Sequence, residues 1–230
     1  YAQRQGEEEK AQEFRQRAAQ EKRDYCFPAQ LDELVVLNDA LHHAPDDASA
    51  HYFLGNLLYD KRRHQDAISH WEESARRAPD FPTVWRNLGI ARFNILNDAD
   101  AAQAAYERAF ALDPSDARVF YERDQLWKRI GIAPEQRLLE LERQLALVSL
   151  RDDLCVELCA LYNHTGAPER TLKMLSERPF QPWEGGEGQA LGQYVRARLL
   201  LGRRALGHGQ TEMALAHFMA ALNTPENLGE

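Results

Sequence analysis

Eight histidines, three cysteines and one glycine-rich run are the residues of this sequence whose types could do chemistry. Their spacing argues against most of it. A helical metal site needs its ligands on one face. His42 and His43 are adjacent and point apart on a helix, and His64 and His70 share no face. These are expected to be solvated surface histidines, with no metal. Cys155 and Cys159 do share a helix face, at positions that pack against a neighbouring helix, and read as buried structural thiols. Gly185-Gly186-Glu187-Gly188 runs into a helical stretch, yet it lacks the Lys-Ser/Thr of a phosphate loop and has no strand before it. Glu184 and Glu187 would repel an anion. Asn163-His164-Thr165 fits a glycosylation sequon, a chance match if the chain is cytoplasmic. No nucleophile has a base at workable spacing. The chain by itself is therefore expected to be no enzyme and to need no cofactor.

Composition bounds the remaining classes. Hydrophobic residues make up 44% and charged residues 28%, as in soluble globular proteins. There is no apolar run long enough to span a bilayer, and no charged-then-apolar leader is visible. The chain opens on Tyr1 rather than Met, which reads as a piece of a longer protein. Three cysteines make no disulfide framework, so a reducing, cytoplasmic setting is expected. A net charge of -8 argues against a general nucleic-acid binder. Arg outnumbers Lys 23 to 5, as GC-rich bacterial genomes favour.

The elements that would position any site are helices. Ala, Leu, Glu, Arg and Gln dominate, and β-branched residues are scarce. A period runs through them. Leu54-Gly55, Ala67-Ile68, Trp71 and Pro79 are followed, 34 residues on and slipping to 35 in the Asn97–Asp100 turn, by Leu88-Gly89, Ala102, Tyr106, Ala109 and Pro114. Each unit reads as two antiparallel helices. Gly55 and Gly89 sit where the first helix crosses the second, with Ala67 and Ala102 opposite. Trp71, Tyr106, Leu54, Leu88 and Trp85 fill the space beside the crossing, and Pro79 and Pro114 end the second helices.

On these residues the sequence resembles the tetratricopeptide repeat (TPR) family. The best repeats are 48–81 and 82–116. Degenerate repeats follow at 117–150, 152–178 and 195–225, with a loop inserted at 179–192. Asp124 stands where Gly or Ala belongs, and Arg92 where the family has an aromatic, with Phe93 one residue on. Residues 1–28 read as a charged helix and linker, 29–225 as the superhelical domain, and 226–230 as a truncated continuation. The resemblance implies an all-α, right-handed solenoid of eleven to thirteen helices.

It also implies a concave face lined by the first helices. The residues it places there are Tyr52, Asn56, Tyr59, Arg86, Asn87, Phe93, Arg118, Tyr121 and Lys128. Asn56, Asn87 and Arg118 match three positions of the clamp by which some family members hold a peptide carboxylate. The expected function is a non-catalytic interaction or scaffold module for a protein or peptide, or for another domain of its own chain. Neither nucleic acid nor membrane is expected as a partner. A second reading follows from Tyr25-Cys26-Phe27-Pro28 and Trp183–Gly188. These resemble bacterial TPR proteins whose array follows a β-rich domain of sugar-processing shape. Phe180, Trp183 and Glu184 would then help the loop contact a carbohydrate-active domain. A homodimerising solenoid is a third.

Overall fold

The computed structural model describes residues 6–20, 26–181 and 186–228. Among them are thirteen α-helices and one short 3-10 turn, with no strand. The chain divides into two compact units, Tyr1–Asp113 and Pro114–Glu230. The first holds α1 (Glu8–Gln20), α2 (Leu31–His43), α3 (Ala48–Asp60), α4 (His64–Arg77), α5 (Pro82–Asn94) and α6 (Ala99–Leu112). The second holds α7 (Ala117–Arg129), α8 (Pro134–Arg143), α9 (Leu145–Val148), α10 (Asp152–His164), α11 (Pro168–Ser176), α12 (Gln189–Gly207), α13 (Thr211–Ala221) and the turn Glu226–Leu228.

Local chemistry sets the helix ends. Asp47, Asp98 and Asp116 cap α3, α6 and α7, each accepting backbone N–H groups that the first turn leaves unpaired. Pro82, Pro134 and Pro168 open α5, α8 and α11, where a missing N–H costs nothing. The one-residue slip between repeats falls on Asn97, whose φ of 54° is left-handed, a conformation Asn tolerates.

Pairs α3/α4, α5/α6 and α12/α13 cross closely. A Cβ on Gly55 would lie 2.5 Å from the Trp71 ring, one on Gly89 2.7 Å from the Tyr106 ring, and one on Gly202 2.3 Å from the Phe218 ring. Ala67, Ala102 and Ala214 are buried opposite. The ring that packs each pair therefore occupies the space a first-helix side chain would need.

The same register carries other residues in α7/α8 and α10/α11. The glycine place is taken by Asp124 and Cys159, the alanine place by Arg137 and Thr171, and the aromatic place by the smaller Leu141 and Leu175. Losing the ring makes room for a side chain on the first helix. At Asp124 that side chain is 2% exposed and Arg137 is 4% exposed. Arg137 donates from Nε (2.9 Å) and a terminal nitrogen (2.6 Å) to the two Asp124 carboxylate oxygens, and donates again to Glu157 at 2.7 Å. Lys128 reaches Glu157 at 2.9 Å, and Arg123 pairs with Glu140 at 2.7 Å. Burial pushes the Asp124 carboxyl up against the pull of Arg137, while Lys128 and Arg137 together hold Glu157 below its usual range against its burial. The departure at Asp124 is thus matched by a charge on the facing helix, and α7 and α8 touch far less than α3 and α4.

The expected second helix of repeat 117–150 is broken at Gln144, whose N–H bonds the Leu141 carbonyl in a tightened turn. The inserted loop is tied down by the turn at 226–228. Phe180 N–H donates to the Asn227 carbonyl at 2.7 Å, and Asn227 Nδ2 donates to the carbonyls of Leu175 and Arg178.

Candidate functional site

In the first unit α3 and α5 lie side by side and bring two of the expected residues together. Asn56 Oδ1 accepts from Trp71 Nε1 at 3.0 Å and from Asn87 Nδ2 at 3.0 Å. Trp71 is the ring that covers Gly55, so the helix crossing also orients Asn56. With its oxygen engaged twice, Asn56 turns its NH2 group away from both donors. A terminal nitrogen of Arg86 lies 3.4 Å from Asn87 Oδ1. Tyr59 packs against Trp71, with ring centroids 5.2 Å apart, and against His64 at 4.7 Å. Tyr59, Arg86, Asn87 and Phe93 are all half-buried.

Tyr52 corrects the expectation. It is 3% exposed, packed on Phe53 and Phe81 within the core that Ile68, Trp71, Val84 and Leu88 share. A ring so enclosed supports the surface from below and offers it no contact area.

Arg118, Tyr121 and Lys128 belong to the second unit, where carboxylates meet the two cations. Arg118 pairs with Glu122 at 3.1 Å. Lys128 on α7 pairs with Glu157 on α10. Arg151 sits 5.7 Å from the Tyr121 ring centre and binds Asp153 at 2.6 Å. Burial, then Asp153 and Glu157, push the Tyr121 phenol up. Phe180 is 3% exposed beneath Arg178 and serves as an internal anchor of its loop. Trp183 and Glu184 lie outside the described residues.

The thiols hold no visible chemistry. Cys155 and Cys159 are buried, and burial pushes both up, away from the reactive thiolate. Among the described residues no group of three or more His, Cys, Asp or Glu is arranged to hold a metal. No described helix is long and apolar enough to cross a membrane.

Arg92 leaves a visible mark. An open cleft of about 270 Å³ lies between α4 and α5, lined by Glu72, Ala75, Arg76, Trp85, Leu88 and Arg92. Phe93 is not among its walls. Arg92 reaches Glu72 at 3.3 Å, a weak substitute for the packing of an aromatic ring. Arg92→Tyr is expected to fill the cleft and raise stability by about 0.5–2 kcal/mol, read from a urea melt. An unchanged midpoint would show that the cleft costs nothing.

Sequence reasoning missed Arg137, Glu157 and the pairing of His51 with His70. Arg137 was findable: it stands 35 residues after Ala102, at the facing place of the crossing that Asp124 disturbs. His51 and His70 gave no periodic signal.

Comparison with known proteins assigns part of the chain. The tetratricopeptide repeat model matches residues 36–81 and 54–117. Both matches include Gly55 and Ala67, and the second also includes Gly89 and Ala102.

Residues 36–117 are tetratricopeptide repeats.

The Hsp70-Hsp90 organizing protein of Triticum aestivum is 34% identical over 79 residues, covering 34% of this chain and 13% of that protein. The chain thus matches about an eighth of that relative's length. YrrB, a TPR protein with an unusual peptide-binding site, superposes with a TM-score of 0.58 at 15% identity, over 81% of this chain and 90% of that one. MamA superposes with a TM-score of 0.53 at 17% identity, over 76% and 90%. At such identities the two structures establish the solenoid fold alone.

Proposed function

We propose that this protein is a non-catalytic interaction module that takes an extended peptide segment along α3 and α5 of its first unit. The observation that carries the reading is the Asn56–Asn87 amide pair, oriented by Trp71 and flanked by Arg86. Amide N–H groups and a guanidinium are the donors a peptide carbonyl or carboxylate needs. Tyr59 and Phe93 add contact area with few rotors to freeze. A peptide-binding TPR protein among its fold neighbours and a chaperone-organizing relative support the class of partner. Arg118 and Lys128, which belong to the second unit, are left out of the site. Three cysteines without a disulfide suit a reducing cytoplasm.

The test is fluorescence anisotropy with a labelled acidic pentapeptide, once with a free C-terminal carboxylate and once amidated. Wild type should bind the free acid more tightly, and less so as salt rises. Arg86→Glu should weaken binding about ten- to a hundredfold, the range for a hydrogen bond to a charged group. Binding that survives Arg86→Glu at low salt, or no binding of either peptide, would refute the site.

A further inference from the structure

His51 and His70 form a contact that neither the repeat nor the proposed groove uses. His51 stands on α3 where the family has an aromatic, and it is 9% exposed. Its Nε2 lies 3.1 Å from the Pro45 carbonyl in the connection before α3. Its Nδ1 lies 2.9 Å from Nδ1 of His70 on α4. The rings are tilted by 35°, with centroids 5.2 Å apart.

The proton positions follow from the partners. A carbonyl only accepts, so His51 Nε2 carries a hydrogen and donates it to Pro45. A neutral His51 then has a bare Nδ1, an acceptor, and His70 must donate from Nδ1–H. The chain is His70 Nδ1–H to His51 Nδ1, and His51 Nε2–H to the Pro45 carbonyl. It ties α4, α3 and the preceding connection together. One added proton can enter at His70 Nε2 without breaking the chain. A second must go to His51 Nδ1, and two N–H groups would then face each other at 2.9 Å.

We propose that the His51–His70 contact is an acid-labile latch, holding α4 to the start of α3 while the pair carries at most one extra proton and parting when it takes a second. The surroundings give little help to an imidazolium. On α4, Asp66 is held by Arg63 at 2.7 Å and Glu73 is held by Arg76 and Arg77. From the connection before α3, Asp46 faces Arg77 at 3.0 Å, and from α3 His51 faces the ring. Burial and then His51 lower the affinity of His70 for a proton, more than Asp66 and Glu73 raise it. The sign is therefore fixed. The unfolded chain takes up protons at ordinary histidines near pH 6.5 while His70 in the folded chain lags, so stability is full above that pH and falls below it. The lag at His70 lowers the folded-to-unfolded ratio by up to about tenfold per pH unit. The latch stands whether or not α3 and α5 bind a peptide.

Urea melts of the 230-residue chain between pH 7.5 and 5 test it, with wild type set against His51→Phe and His70→Gln. Phe restores the aromatic of the repeat, and Gln keeps a donor for His51 Nδ1 without a second imidazole. In each folded variant the loss of stability below pH 6.5 should shrink by up to about tenfold in the ratio per pH unit relative to wild type. Long-range proton–nitrogen spectra of wild type should show His51 protonated at Nε2 and His70 at Nδ1 at pH 7.5. As the pH falls, the first added proton should appear at His70 Nε2. Should His51→Phe fail to fold, His70→Gln and the spectra decide alone. Equal pH slopes in wild type and variants, or two imidazoles that titrate independently near pH 6.5, would overturn the latch.

Discussion

Gly55→Leu and Gly89→Leu are each expected to destabilise the first unit by roughly 1–3 kcal/mol or more, the cost of overpacking a tight core. A bare Cβ at Gly55 would already stand 2.5 Å from two atoms of the Trp71 ring and 3.1 Å from the Ala67 carbonyl. The ring has little freedom to yield, since Trp71 Nε1 is bonded to Asn56 and its face packs on Tyr59. Backing Trp71 away would also release Asn56, so Gly55→Leu should disturb the amide pair as well as the melt. At Gly89 the obstruction is the Tyr106 ring. Gly192 is the control. It lies in α12 with open space around it, and Gly192→Ala should be neutral or stabilise by up to about 1 kcal/mol through helix propensity. Neutral urea melts for both leucine variants would mean the crossings are not where the repeat places them.

Arg137→Ala is expected to cost about 3–5 kcal/mol, because it strands a buried carboxylate. Asp124 would lose both of its hydrogen bonds from Arg137, and Glu157 would keep only Lys128. Asp124→Gly should likewise be costly, since it removes one of the two carboxylates that hold the buried guanidinium. Combining Asp124→Gly with Arg137→Ala restores the small-against-small crossing of the first two repeats. The double variant should be markedly more stable than the sum of its parts, with a coupling of about 1–3 kcal/mol. Buried ion pairs are often no better than the apolar packing they replace. Simple additivity, or a loss below 1 kcal/mol for Arg137→Ala, would show that the pair is dispensable.

The architecture was legible in the chain because helix crossings impose it residue by residue. Gly55 with Ala67, and Gly89 with Ala102, announce two close-packed pairs, since no larger residue fits. Gly202, Ala214 and Phe218 repeat the signature after the inserted loop. Pro79 and Pro114 mark the ends of second helices, for reasons local to the backbone. Sequence also showed where the pattern failed, at Arg92 and Asp124, though not with what result. That required the facing helix. Only the folded chain sets Arg137 against Asp124, brings Glu157 from the next pair, and leaves a cleft where Arg92 fails to fill the space of a ring.

The candidate site divides in the same way. The family resemblance put Asn56 and Asn87 on the concave face of α3 and α5, and they meet. The same resemblance put Tyr52 beside them, but its ring turns into the core against Phe81. Position along a helix fixes which side a residue leaves from, whereas its rotamer and burial depend on neighbours far away in sequence. Charge shows this most sharply. Arg118 and Lys128 read as available cations in the chain. Glu122 is close enough in sequence to have been weighed against Arg118, but Glu157 reaches Lys128 only through tertiary packing. The His51–His70 contact belongs wholly to that second kind of information, because hydrogen-bonding between two rings nineteen residues apart depends on how two helices cross and on no repeat.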